Sequence, residues 1–141
     1  MRTPEYIASL ARLDVLAGCS FPELRSASTL LTALEIPAGE IIVRQNTLGR
    51  DFVIVASGEL TVTRTDGGDT QLLDVVSAGA VLGEMALLHG VPRSATVTTL
   101  TPARVYAGSR AEFFALLDAA PSAAQRILAA AAERQRQNIA A

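Results

Sequence analysis

The sequence predicts an α+β fold in which an antiparallel β-barrel or jelly roll is flanked by N-terminal and C-terminal helices. Short β-rich runs separated by glycines fill the middle of the chain, and capped helical stretches precede and follow them. No fixed-period repeat or linker divides the sequence. A chain of 141 residues buries one core of ordinary size, so we expect a single domain over residues 1–141.

Helices are predicted before the barrel, over residues 4–33. Thr3 followed by Pro4 is typical of a helix start, because proline fits the first helical position and the threonine hydroxyl can cap the first turn. Ser20 and Glu23 have the spacing of a capping box, which predicts a second helix that continues to the end of this range.

The barrel is predicted over residues 36–107. Its strands are the runs EIIVRQ, DFVIVAS, ELTVTRT, TQLLDVV, SATVTTL and ARVYA. Gly67 and Gly68 mark the sharpest hairpin turn between them, because such a turn needs positive φ angles. Alternation along the third run places Val62 on the face that points into the barrel.

Further helices are predicted over residues 110–137. Ser109 and Glu112 form another capping box, and Pro121 separates the helix that follows from the last one.

The segment GEMALLHGVPRSATV, residues 83–97, has the features of a phosphate site. Gly83 lets the backbone turn sharply, and EMALLH is long enough for about one to two helical turns before Gly90 ends it. A helix this short keeps most of its N–H groups free, and they attract an anion together with the helix dipole. Pro92 stiffens the chain before Arg93, whose guanidinium can bind two phosphate oxygens.

Glu84 lies at the opposite end of this segment from the arginine. A carboxylate is a poor phosphate ligand but a good acceptor for a ribose hydroxyl. The pair therefore favours a nucleotide over free phosphate.

This segment resembles the phosphate-binding cassette of the cyclic nucleotide-binding domain family, which includes cyclic-nucleotide-gated channels, cAMP-dependent kinase regulatory subunits and bacterial catabolite-activator-type regulators. The spacing matches without gaps over residues 83–97, and looser similarity extends from about Glu5 to Arg136. The resemblance implies that Glu84 accepts the ribose 2′-hydroxyl and Arg93 binds the cyclic phosphate. It also implies that backbone N–H groups close the cradle, those of Ala86, Ser94 and Ala95.

Three apolar residues are candidates for the pocket wall: Val62, Leu73 and Leu82. The family resemblance implies a base-contacting residue at Val62, and Leu82 stands where the family usually has phenylalanine. The alternative, that all three are ordinary core residues, stays open, because the interior of a small barrel is both core and pocket.

The last predicted helix carries a stripe formed by Ile127, Ala131 and Arg134. In several members of the family this helix closes over the pocket as a lid, and Arg134 matches a base-capping arginine. The alternative is a solvated arginine on a charged helix end. The complete set of expected ligand-binding residues is Gly83, Glu84, Met85, Ala86, Arg93, Ser94, Ala95, Val62, Leu73, Leu82 and Arg134.

Ser94 bears on the choice between cAMP and cGMP. A hydroxyl residue directly after the arginine resembles a cGMP signature of the eukaryotic kinases, but bacterial members often carry serine there with cAMP. We therefore expect cAMP, with cGMP as the alternative.

Composition argues against several other functions. The net charge of −2 argues against direct binding of nucleic acid or an anionic membrane, and no apolar run is long enough to span a bilayer. His89 is the only histidine, which excludes multi-histidine metal sites, and we expect no enzyme activity and no cofactor.

Cysteine usage indicates a reducing compartment, because Cys19 is the single cysteine. It ends a match to the lipoprotein cleavage box, LAGC, but Arg12 and Asp14 interrupt the apolar stretch that such a signal needs. We therefore expect a cytoplasmic protein.

The expected function is a sensor that binds a cyclic nucleotide and acts on an effector protein or domain, or through a homo-oligomer. Two alternatives remain. The chain is a degenerate domain that serves as an interaction scaffold without binding, or it is the sensor part of a larger regulator, because about twenty residues after the start of the last helix are too few for a helix-turn-helix.

Overall fold

Two four-stranded antiparallel sheets and five α-helices make up residues 3–136, the part of the chain that the computed structural model describes. One sheet has the strand order β1-β8-β3-β6 and the other has the order β2-β7-β4-β5. The predicted α+β class, a jelly roll between N-terminal and C-terminal helices, is confirmed. The strands are β1 (Thr32–Ile36), β2 (Ile41–Val43), β3 (Asp51–Ser57), β4 (Leu60–Asp66), β5 (Asp69–Val76), β6 (Val81–Leu82), β7 (Thr96–Thr99) and β8 (Ala103–Ser109).

The helices begin at the residues that the capping patterns indicate. The side chains of Ser20 and Ser109 each accept a hydrogen bond from the backbone N–H three residues later. The glutamate side chain at that position accepts one from the backbone N–H of the serine, so both capping boxes are formed. The helices are α1 (Pro4–Leu10), α2 (Phe21–Leu30), α3 (Glu84–His89), α4 (Arg110–Ala119) and α5 (Pro121–Arg136), with a 3-10 turn over Asp14–Leu16. The final residue of the predicted last helix, Gln137, lies outside the described residues.

The predicted turn between β4 and β5 has the expected geometry. Asp66 pairs with Asp69, and the two glycines between them have φ angles of 59° and 90°. Glycine is favoured at both positions because a side chain there would strain the backbone.

The predicted helical stretch over 4–33 is wrong at its end. α2 stops at Leu30, and Thr32–Ile36 forms the edge strand β1, which pairs along its whole length with β8. The strand region therefore runs over 32–109 rather than 36–107. Backbone pairing with a strand some seventy residues later decides this segment, and local propensity does not.

The core consists of two clusters of buried side chains. One cluster joins the helices to the first sheet and includes Phe52, Phe113 and Ile127, and the other fills the space between the sheets around Val62, Leu82 and Val97. Within the described residues, no helix is both long enough and apolar enough to cross a membrane.

Candidate functional site

The short helix α3 is held between two glycines with left-handed backbone conformations. Gly83 at its start has φ of 85°, and Gly90 at its end has φ of 63°. A Cβ atom on Gly83 would overlap the Arg93 guanidinium and lie 2.9 Å from the Asp51 carbonyl oxygen. Glycine is therefore required here for close approach as well as for its backbone conformation.

Arg93 is buried, with 7% of its surface exposed. Its Nη1 donates to the Gly83 carbonyl oxygen at 3.1 Å, and its Nη2 donates to the Asp51 carbonyl oxygen at 2.6 Å. A guanidinium has five N–H donors, so these two bonds fix its orientation and leave donors over. Burial lowers the pKa of Arg93, while the charges of Asp51 and Glu84 raise it.

Gly49 permits the close packing behind this guanidinium. A Cβ atom on Gly49 would lie 2.8 Å from the Ala86 Cβ and 3.1 Å from the Arg93 Cζ. The loop before β3 and the helix α3 therefore enclose the arginine from two sides. Nothing in the sequence pattern pointed to Gly49 or to the Asp51 carbonyl, because neither uses a chemically distinctive side chain.

Glu84 is the first residue of α3, and only 1% of its surface is exposed. Neither carboxylate oxygen has a hydrogen-bond partner among residues 3–136. Burial raises the pKa of Glu84 to about 7, although its own backbone N–H and the charges of Arg134 and Arg93 act in the opposite direction. A buried carboxylate without a donor costs free energy, which makes this atom group a candidate ligand-binding point.

Arg134 lies half-buried on α5, near enough to Glu84 for its charge to lower the carboxyl pKa. The stripe below it holds α5 against the rest of the domain, since Ile127 and Ala131 are buried. The structure therefore places Arg134 within electrostatic range of Glu84, and no hydrogen bond joins the two side chains among residues 3–136.

The three predicted wall residues meet in one place. Val62 and Leu82 are fully buried in the core cluster between the sheets, and Leu73 packs against that cluster half-buried. Ala95 of the cassette belongs to the same cluster, so the apolar residues and the cassette are continuous.

Two predicted site residues, Met85 and Ser94, are less buried than Glu84 and Arg93. Met85 is half-buried and lines a groove of about 240 Å³ between α3 and α5, together with His89, Leu128 and neighbouring residues. Ser94 is exposed, and its carbonyl oxygen accepts a bond from the Arg64 Nε at 3.0 Å.

Comparison with known proteins places this arrangement in context. The family described as "Cyclic nucleotide-binding domain" matches residues 33–120. Acetyltransferase Pat of Mycolicibacterium smegmatis is 30% identical over 110 residues, which cover 78% of this chain and 33% of that protein.

Two solved structures give the same result at the level of the fold. The catabolite activator protein of Thermus thermophilus superimposes with a TM-score of 0.78 at 30% identity, over 88% of this chain and 59% of that one. The regulatory domain of Toxoplasma gondii PKA, co-crystallised with cAMP, superimposes with a TM-score of 0.73 at 25% identity, over 89% and 49% of the respective chains. The chain therefore spans less than two thirds of the length of each of these relatives.

Proposed function

Because the chain belongs to the cyclic nucleotide-binding domain family, we propose that residues 83–97 bind a cyclic nucleotide, with cAMP as the preferred ligand. The observation that carries this proposal is the pairing of a buried, oriented arginine with a buried carboxylate that has no hydrogen-bond donor within residues 3–136. A cyclic nucleotide offers a phosphate to the first group and a hydroxyl to the second.

Arg93 is the proposed phosphate ligand. Its two bonds to main-chain carbonyls hold the guanidinium in place before a ligand arrives, so little side-chain entropy remains to be lost on binding. Backbone N–H groups of Ala86, Ser94 and Ala95 would complete the cradle. A cyclic phosphate carries one negative charge, which a buried guanidinium pairs with strongly.

Glu84 is the proposed ribose ligand. A 2′-hydroxyl donating to its carboxylate would supply the hydrogen bond that no group in the described part of the chain provides. The proposal therefore assigns the unfavourable burial of Glu84 to ligand recognition. Val62, Leu73 and Leu82 would form the apolar wall next to the base.

Arg134 is the proposed residue of the lid. Without ligand, the charge of Arg134 lowers the pKa of Glu84. The hydroxyl of a bound ribose would replace Arg134 as the group that interacts with the Glu84 carboxylate. The guanidinium would then be available to stack on the purine, while Ile127 and Ala131 keep α5 docked.

The preference for cAMP rests on the relatives. The Toxoplasma gondii domain was crystallised with cAMP, and a relative from Thermus thermophilus that is 33% identical over 102 residues is named cyclic AMP receptor protein.

The proposed biological role is regulatory. One relative is an acetyltransferase and others are kinase regulatory subunits, and the matching segment is a minor part of each. We infer that this domain reports nucleotide occupancy to an effector protein, an effector domain or a second copy of itself, and that it performs no catalysis itself.

Isothermal titration calorimetry with cAMP, cGMP and 5′-AMP tests the proposal. We expect micromolar binding of cAMP, weaker binding of cGMP and no comparable binding of the non-cyclic 5′-AMP. Circular dichroism of the same sample establishes that the protein is folded. A folded protein that binds neither cyclic nucleotide would favour the alternative, an interaction scaffold that keeps the fold without the ligand. At least tenfold tighter binding of cGMP would reverse the stated preference.

A further inference from the structure

A second cleft lies away from the cassette, between the N-terminal helix and the first sheet. It has a volume of about 320 Å³, at the lower end of the range for small-molecule sites. Its polar lining comes from Ser9, Arg12, Ser57, Arg104 and Tyr106, and Leu13 and Ala56 add apolar surface. We call it the α1–β8 cleft; none of its lining residues belongs to α3 or to the cassette.

An irregularity in β3 lies beside the cleft. The register of β3 against β8 shifts between Val55 and Ser57, which interrupts the regular pairing beside Arg104. The hydroxyl groups of Ser9 and Tyr106 lie 2.8 Å apart and hydrogen-bond, which ties α1 to β8. The cleft is therefore bounded by elements that the fold holds in place.

Two arginines give the cleft its positive charge. The Arg12 guanidinium has no hydrogen-bond or ion-pair partner among residues 3–136. Arg104 donates to Glu35 at 3.2 Å, and its guanidinium carbon lies 5.9 Å from the centre of the Tyr106 ring. The Arg104 and Glu35 side chains are 45% and 77% exposed, and such exposed ion pairs contribute little to stability. An anion can therefore compete with Glu35 for Arg104.

We propose that the α1–β8 cleft binds a small organic dianion, with a phosphate ester or a dicarboxylate held between Arg12 and Arg104. Guanidinium groups bind both kinds of oxyanion in a bidentate manner. The Ser57 hydroxyl group lines the same cleft and would donate to the ligand, and Leu13 and Ala56 would contact its carbon skeleton. This site is independent of the proposed nucleotide site, because it shares no residue with it.

The test follows the arginine side chains directly by NMR. Protein labelled with ¹⁵N is titrated with glycerol 3-phosphate and, separately, with succinate, with chloride used to hold the ionic strength constant. The Nε–H signals of Arg12 and Arg104 should shift with a common saturable affinity, and the Arg93 signal reports the cassette separately. Saturation by the phosphate ester alone or by the dicarboxylate alone identifies which source supplies the dianion.

Variants assign the binding to the cleft. Arg12→Ala and Arg104→Ala should each weaken binding of the effective probe by about tenfold or more, whereas Arg25→Ala, an exposed arginine on α2, should leave it unchanged. Glu35→Gln should tighten binding, because Arg104 loses its competing carboxylate. Shifts that do not saturate at millimolar probe, or an affinity that neither Arg12→Ala nor Glu35→Gln changes in a folded protein, would overturn the proposal.

Discussion

The two ends of the cassette each bury an ionisable side chain, but of the two only Arg93 has hydrogen-bond partners within residues 3–136. Arg93 donates to the Gly83 and Asp51 carbonyl oxygens, whereas Glu84 has no hydrogen-bond partner in residues 3–136. Arg93 is therefore already oriented without a ligand, whereas the Glu84 carboxylate needs a hydrogen-bond donor from outside this part of the chain. A ligand that donates a hydrogen bond to Glu84 would therefore gain more binding free energy than the same bond to an exposed carboxylate would provide. It would also remove the cost of burying the carboxylate without a donor.

Replacement of Arg93, whose guanidinium is hydrogen-bonded within the protein, is expected to have the largest effect. Arg93→Ala should weaken cyclic nucleotide binding at least hundredfold, on the order of 3 kcal/mol or more, because a charge-assisted bidentate contact is lost. Calorimetry measures the affinity, and thermal unfolding checks that the variant is folded. Arg93→Lys should recover only part of the loss, since an ammonium cannot reproduce the planar geometry. Unchanged affinity in folded Arg93→Ala would refute the phosphate assignment.

The unsatisfied charge should make the stability of the ligand-free protein depend on pH. Burial raises the Glu84 pKa from 4.5 to about 7, so the folded state holds this proton more tightly than the unfolded state. Protonated Glu84 therefore contributes fully to the free energy of unfolding below about pH 4.5, and this contribution is lost as the pH rises to about 7. This loss is on the order of 3 kcal/mol.

Urea denaturation at several pH values measures this effect as the difference between the protein and Glu84→Gln, which cancels titration elsewhere, including that of Glu23 with its lowered pKa. As the pH rises from about 4.5 to about 7, the free energy of unfolding of the glutamine variant should increase relative to that of the unsubstituted protein. A difference that is independent of pH would mean that Glu84 is solvated or paired in solution.

Glu84→Gln also tests what the carboxylate accepts. The variant should bind cAMP about tenfold or more weakly, while its affinity for 2′-deoxy-cAMP should change much less, because a hydrogen bond to a charged group contributes about 1.5–3 kcal/mol. Calorimetry with both ligands on both proteins forms a complete cycle. Equal losses for the two ligands would exclude the 2′-hydroxyl as the partner of Glu84.

The smallest expected effect is that of replacing Arg134, which lies on α5. Arg134→Ala should weaken nucleotide binding by about tenfold, or about 1.4 kcal/mol, while phosphate recognition through Arg93 is retained. Amide exchange over residues 122–136 should slow when nucleotide is added, because docking of α5 is stabilised. If the amide exchange rates do not change when nucleotide is added and the variant binds nucleotide with unaltered affinity, α5 takes no part in binding.

Local sequence determined the helix starts and the turns. The capping boxes at Ser20 and Ser109, the two-glycine hairpin before Asp69, and the glycines at both ends of α3 are all found where the sequence predicts them. Each depends on residues within three or four positions of one another, so no distant part of the chain needs to be known. The interpretation of residues 83–97 as a cassette rests on a longer spacing, the nine positions from Glu84 to Arg93, and on the family resemblance.

The tertiary structure decided what surrounds those residues. Thr32–Ile36 became a strand because β8 pairs with it, and Arg93 acquired the Asp51 carbonyl from a strand forty-two positions earlier. The isolation of Glu84, the approach of Arg134 and the α1–β8 cleft likewise depend on packing between segments far apart in the chain. Hydrogen bonding of main-chain carbonyls and the desolvation of a charge leave no trace in residue type, so only the folded chain reveals them.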